Sequence, residues 1–193
     1  ACPTNSSSTF SSVITAAATD SITVTRPPSA NSIWVGARIN ANIYVWSADQ
    51  TGDAGGVTTW RTEEGDPETT EVNEVSLIPY SSSDKVVFLY QRNPGGTASD
   101  GVKSVAVTRG QTADSGTKVE ITAGSSDNAP ATMFGNGVRV ADNDFRTVVQ
   151  QTNSGGSLSE YKYADDNADW TALATVTSTA GTVGIFNPAL FYY

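Results

Sequence analysis

The chain has no histidine. That omission removes Ser-His-Asp and Cys-His catalysis, His-ligated zinc or copper, and imidazole acid–base chemistry. Its one cysteine, Cys2, excludes an internal disulfide and a cysteine zinc site. Chemistry is left to carboxylates, arginine, lysine and the aromatic side chains. Arg146 and Glu160 fall on neighbouring predicted strands joined by a Gly-rich turn, so the two can point to one side. A guanidinium offers a fork of donors and a carboxylate offers acceptors, which suits the hydroxyls of a sugar, while an aromatic ring suits its C–H face. Trp170 would supply that ring, with Tyr161, Phe186 and Tyr192 as substitutes. The plainer alternative is a cross-strand ion pair on an ordinary sheet face.

A second aromatic group, Trp34, Tyr44, Trp46 and Trp60, lies in the first third of the chain. It either lines a pocket for a small apolar molecule or packs into the core, the usual fate of large rings at alternating strand positions. The acidic stretches Asp142-Asn143-Asp144 and Asp165-Asp166-Asn167-Ala168-Asp169 lack the one-three-five spacing and closing Glu of a calcium loop, and read as solvated turns. Glu63, Glu64, Asp66 and Glu68 read as an acidic loop, although a carboxylate pair across a cleft is what a histidine-free glycosidase would need. None of these patterns requires a cofactor or a metal ion.

Twenty acidic residues stand against eleven basic ones, a formal charge of −9, and the basic residues are scattered singly. Such a surface repels phosphate backbones and argues against nucleic acid as a partner. No 18-residue apolar run is present, so no membrane-spanning helix is expected. The chain starts at Ala1, which predicts a processed, secreted protein, and continues into a Ser-rich lead whose Asn5-Ser6-Ser7 sequon makes Asn5 an N-glycosylation candidate, the alternative being a disordered polar terminus. Cys2 in the same lead is a candidate for an intermolecular disulfide that joins two copies into a homodimer.

The elements that position these residues are strands. Thr, Ser, Val, Gly, Asn and Asp dominate, leucine is scarce, and apolar or β-branched runs recur between turn-forming clusters, with no convincing 3.6-residue period. Three stretches superimpose as strand, Gly-rich turn and strand, beginning at Asn42, Lys85 and Phe145. Each is preceded by a further strand (IWVGARI, EVSLIPY, ATMFGNGVRV) and followed by a less regular fourth: the stretch after Trp60, TKVEIT, and WTALATV. The spacing of about 45 to 60 residues suits a four-stranded propeller blade. The chain ends on TVGIF and PALFYY and begins with two orphan strands, VITAAAT and ITVTR, which together would complete a fourth unit. The prediction is therefore an all-β chain: a lead over 1–12, then one β-propeller domain over 13–193, with four blades closed by pairing of N- and C-terminal strands. A β-sandwich is the alternative.

The third unit, FRTVVQQTNSGGSLSEYKYADDNADW, resembles the repeat of fungal fucose-binding lectins, with matching positions at Arg146, Gln150, Gly155 or Gly156, Glu160, Tyr161 and Trp170. The resemblance implies a propeller in which the Arg and Glu bond sugar hydroxyls and the ring oxygen while aromatic rings stack on fucose. The other units depart from the pattern. Val87 and Ser104 stand near the Arg and Glu positions of the second, Tyr44 and Thr59 of the first, and Leu190 takes the Arg position of the fourth. At most one fucose-type site per chain is expected.

Three functions follow. The first is a secreted lectin-like protein binding a neutral, fucose-like carbohydrate. The second, also implied by the resemblance, is a lectin-scaffold enzyme of a fungal natural-product pathway, pericyclase-like, using shape and a few hydrogen bonds in place of acid–base groups. The third is a structural or self-associating secreted protein. The sequence favours binding over catalysis.

Overall fold

The computed structural model describes residues 19–39, 42–51, 56–67, 72–92, 102–111, 116–121, 131–133, 137–151, 157–164 and 169–177. Every regular element among them is a β-strand. The first sheet is the meander β1 (Thr19–Thr25), β2 (Ser32–Ile39), β3 (Asn42–Thr51) and β4 (Gly56–Pro67). The second is β5 (Val72–Pro79), β6 (Lys85–Arg92), β7 (Val102–Thr108) and β8 (Lys118–Glu120). The third holds β9 (Ala131–Met133), β10 (Val138–Ala141), β11 (Asp144–Gln151), β12 (Ser157–Ala164) and β13 (Asp169–Thr177). β9 and β10 both pair with β11, through Met133↔Val149 and Val138↔Arg146, so they form one edge in two pieces. All pairings are antiparallel between strands close in sequence, as expected when short loops join strands of matched length.

The second expected unit matches its sheet strand for strand, the third matches except that its leading strand is split into β9 and β10, and the first does not match. ITVTR is not an orphan strand: it is β1 of the first sheet, and Ile22, Val24 and Thr25 lie opposite Ala37, Val35 and Trp34 of β2. The stretch after Trp60 is no separate strand, because β4 runs unbroken from Gly56 to Pro67. The first unit was thus phased one strand late, and β2 rather than β3 is the counterpart of β11. The lead over 1–12 and the strands expected over 182–193 lie outside the described residues.

The sheets pack face to face in chain order. The second sheet meets the first through β5 and β7 and meets the third through β5, β6, β7 and β8. Its central strand explains why: Val86, Phe88 and Tyr90 point to the first sheet, Val87 and Leu89 to the third, and all five are fully buried. On one side they join Trp34, Ile43 and Val45, and on the other Phe145, Val149, Tyr161, Tyr163 and Trp170. A middle layer covered on both faces departs from a two-sheet sandwich.

Turn aspartates fasten successive layers. Asp84, just before β6, accepts hydrogen bonds from the Ser32 hydroxyl and from the Trp34 indole at 2.9 Å, both in the first sheet. Asp142, between β10 and β11, accepts the backbone N–H of Ser81 at 2.7 Å and of Ser82 at 2.9 Å, together with the Ser82 hydroxyl. Burial pushes the Asp142 carboxyl upward, but these donors together outweigh it and hold it below the ordinary aspartate value. Asn143 beside it takes a left-handed conformation, φ 68°, which asparagine tolerates and the tight β10–β11 turn requires.

The first and second sheets approach closely at Gly36, where an added Cβ would lie 2.7 Å from Phe88 Cε2 and 3.1 Å from Leu77 Cγ. Both neighbours are packed core side chains. Gly36→Ala is expected to destabilise the protein by about 1–3 kcal/mol, measured as a lowered midpoint in urea unfolding.

Candidate functional site

The outward face of the third sheet carries Arg146 and Glu160. Period-two alternation on β11 sends Phe145, Thr147 and Val149 toward the second sheet, leaving Arg146 and Val148 on the far side. On β12, Tyr161 and Tyr163 point inward, leaving Glu160 and Lys162 outward. The register sets Arg146 directly opposite Lys162 and Val148 opposite Glu160. Arg146 therefore meets Glu160 on the diagonal, NH1 to Oε1 at 2.8 Å.

A third residue completes the array. Asp144, two positions before Arg146 on the same strand face, receives Nε and NH2 of the guanidinium, the latter at 2.9 Å. Its Oδ2 lies 3.7 Å from Lys162 Nζ. The Arg146 hydrogen bond is the main cause holding the Asp144 carboxyl below its ordinary value, against desolvation that works the other way. The Arg146 guanidinium is correspondingly pushed up, first by Asp144 and then by Glu160. The side chains of Asp144, Arg146 and Glu160 keep 19%, 24% and 30% of their surface exposed, so the array is partly dehydrated yet reachable. Val138, the register partner of Arg146 on β10, adds half-buried apolar surface beside it, whereas Val148 is buried.

Tyr161 and Trp170 do not join this group. Both are buried between the second and third sheets, where Trp170 donates its indole N–H to Ser104 Oγ at 2.7 Å. Phe186 and Tyr192 lie outside the described residues, as do Cys2, Asn5 and the turn over 165–168.

The other aromatic candidates divide as well. Trp34 is buried against the second sheet, its indole held by Asp84 and by Ser32 Oγ at 3.0 Å. Tyr44 and Trp46 stand on the opposite face of the first sheet, with centroids 5.2 Å apart and planes 7° from parallel, and Trp60 packs beside them. No single pocket contains all four.

Glu63 and Glu64 are not loop residues. They sit in β4 at a bulge, where Val45 faces Glu64 and Trp46 faces Thr62, and both are fully buried. Glu63 accepts hydrogen bonds from the Ser47 hydroxyl, from the Gly110 N–H at 2.8 Å, and from Arg61 Nε at 3.3 Å. The Gln111 amide donates to the Glu63 carbonyl at 3.1 Å and the Glu64 carboxylate at 3.2 Å, and Lys118 Nζ lies 3.8 Å from Glu64. Adjacent carboxylates so engaged tie the first sheet to the second; they do not face each other across a cleft.

No family model matches the chain, and no curated protein matches it. Among solved structures, it is similar to one described in work that engineered the active site of a GH43 glycoside hydrolase, giving an enzyme with both endo-xylanase and exo-arabinofuranosidase activity. The identity is 12%, the match covers 81% of this chain and 28% of that one, and the TM-score is 0.43. A likeness this distant carries no argument about activity.

Two substitutions test the roles assigned here. Because the folded Asp144 carboxyl titrates below its unfolded value, its stabilisation is complete above the ordinary aspartate range and is lost as pH falls through the folded value. Urea unfolding of wild type and Asp144→Asn is therefore expected to differ most near neutral pH and to converge toward about pH 2. Glu63→Ala, which strips buried partners of their acceptor, is expected to cost about 3–5 kcal/mol in the same assay.

Proposed function

We propose that the chain is a secreted, lectin-like carbohydrate-binding protein that holds a neutral sugar at Arg146 and Glu160. The observation that carries this reading is the guanidinium gripped by Asp144 and turned toward Glu160 on a face that keeps partial exposure. A simple cross-strand ion pair needs one carboxylate. Here a second one fixes the fork, so donors and acceptors for sugar hydroxyls are already oriented and little side-chain entropy is lost on binding. Val138 offers apolar contact to a C–H edge, and Tyr161 and Trp170, which face away, do not supply a stacking ring. With one site per chain, pairing of two copies through Cys2 would raise weak binding by avidity.

The fold reading that accompanies this proposal is a propeller with the three sheets as consecutive blades. It is supported by their meander topology and by their packing in chain order. It is also supported by the buried Val35, Ala37, Ile39 and Trp46 on the face of the first sheet turned from the second, which calls for a further layer. A fourth blade would draw on residues 13–18 and 182–193, without ITVTR. The pericyclase-like alternative loses its four-ring pocket, because Trp34 and Trp46 lie on opposite faces.

Removing a charged hydrogen-bonding partner costs about 1.5–3 kcal/mol, roughly 10- to 100-fold in affinity. Arg146→Ala is thus expected to lose binding on a glycan array and retention on a fucose column. Unchanged retention by that variant would refute the site, and silence of the wild type on both would refute the function.

A further inference from the structure

We propose that Asp144 is a positioning residue that sets ligand charge preference, so that the site takes an uncharged vicinal diol and rejects anionic sugars. The inference rests on the sugar-binding reading above and names a residue which that reading does not need as a contact. Its first support is the register. Arg146 and Lys162 are direct cross-strand partners, an arrangement in which two cations repel. Asp144 contacts both, and so lets the two cations share one sheet face.

The second support is which edge of the guanidinium is used. Asp144 occupies Nε and NH2, leaving NH1 as the edge directed to Glu160. A ligand arriving there meets a donor and an acceptor 2.8 Å apart. Two adjacent hydroxyls complement that pair, one accepting from NH1 and its neighbour donating to Glu160. The third support is charge. Asp144 and Glu160 balance Arg146 and Lys162, so a sulfate or carboxylate brought to NH1 finds no net attraction and a carboxylate close by.

The test uses a neutral fucosylated trisaccharide and the same trisaccharide bearing one sulfate, titrated calorimetrically into wild type, Asp144→Asn, Asp144→Glu and Arg146→Ala. Wild type should prefer the neutral ligand. Asp144→Asn should lose about tenfold in neutral affinity and gain salt-sensitive binding of the sulfated ligand. Asp144→Glu, which restores the charge, should restore the preference; a residue that merely props up the fold would not reverse charge selectivity. Equal wild-type affinity for both ligands overturns the inference. So does an Asp144→Asn protein with unaltered affinity and preference while Arg146→Ala loses binding, which leaves the sugar-binding reading standing. Wild type that binds neither ligand overturns both.

Discussion

β6 is apolar on both faces, and a strand of that kind has no stable place at a surface. Val86, Phe88 and Tyr90 on one side and Val87 and Leu89 on the other must each find a partner layer. Fully burying side chains of this size stabilises by about 1.5–3 kcal/mol each, so the second sheet acts as a spine on which its neighbours are stacked. The rest follows from that demand. Trp34, Ile43 and Val45 turn one face of the first sheet toward it, and Phe145, Tyr163 and Trp170 do the same for the third. Once the third sheet is committed inward on alternate residues, Arg146, Glu160 and Lys162 have no choice but the opposite face.

Strand content and two of the three sheets were legible because period-two patterning and turn residues are local signals. Phasing of the first unit was not. β1 is a short polar-apolar run with exposed Ile22 and Val24, indistinguishable in sequence from a strand that closes a ring elsewhere. The split of the expected sugar site was legible in principle: Glu160 and Tyr161 are consecutive on one strand and must face opposite ways. Asp144 was hidden by its neighbourhood, since Asp142-Asn143-Asp144 reads as one acidic turn. Only the hairpin register shows that Asp142 belongs to the turn and Asp144 to the strand. The alternation Asp-x-Arg was the available clue.

Glu63 and Glu64 show a different limit. A bulge turns two successive residues into an interface, and nothing in the local string TEEGDP distinguishes that from a solvated loop. Their burial is tolerable because charged and dipolar donors converge from both sheets, Ser47 and Arg61 from one, Gly110, Gln111 and Lys118 from the other. Gly110, with φ 80°, gives the turn after β7 the left-handed bend that glycine adopts without strain. Such pairs specify which sheets meet and in what alignment, whereas the apolar faces alone would tolerate sliding.

The turn aspartates Asp84 and Asp142 share a direction. Each belongs to a later sheet and grips groups in the one before it: Ser32 and Trp34 for the first, Ser81 and Ser82 for the second. During synthesis, the acceptor of every such grip is made after its donors. For these grips, a newly emerged sheet therefore finds its docking partner already present. Each grip can form as soon as its own sheet emerges, while the Val87 and Leu89 face of β6 stays uncovered until the third sheet follows.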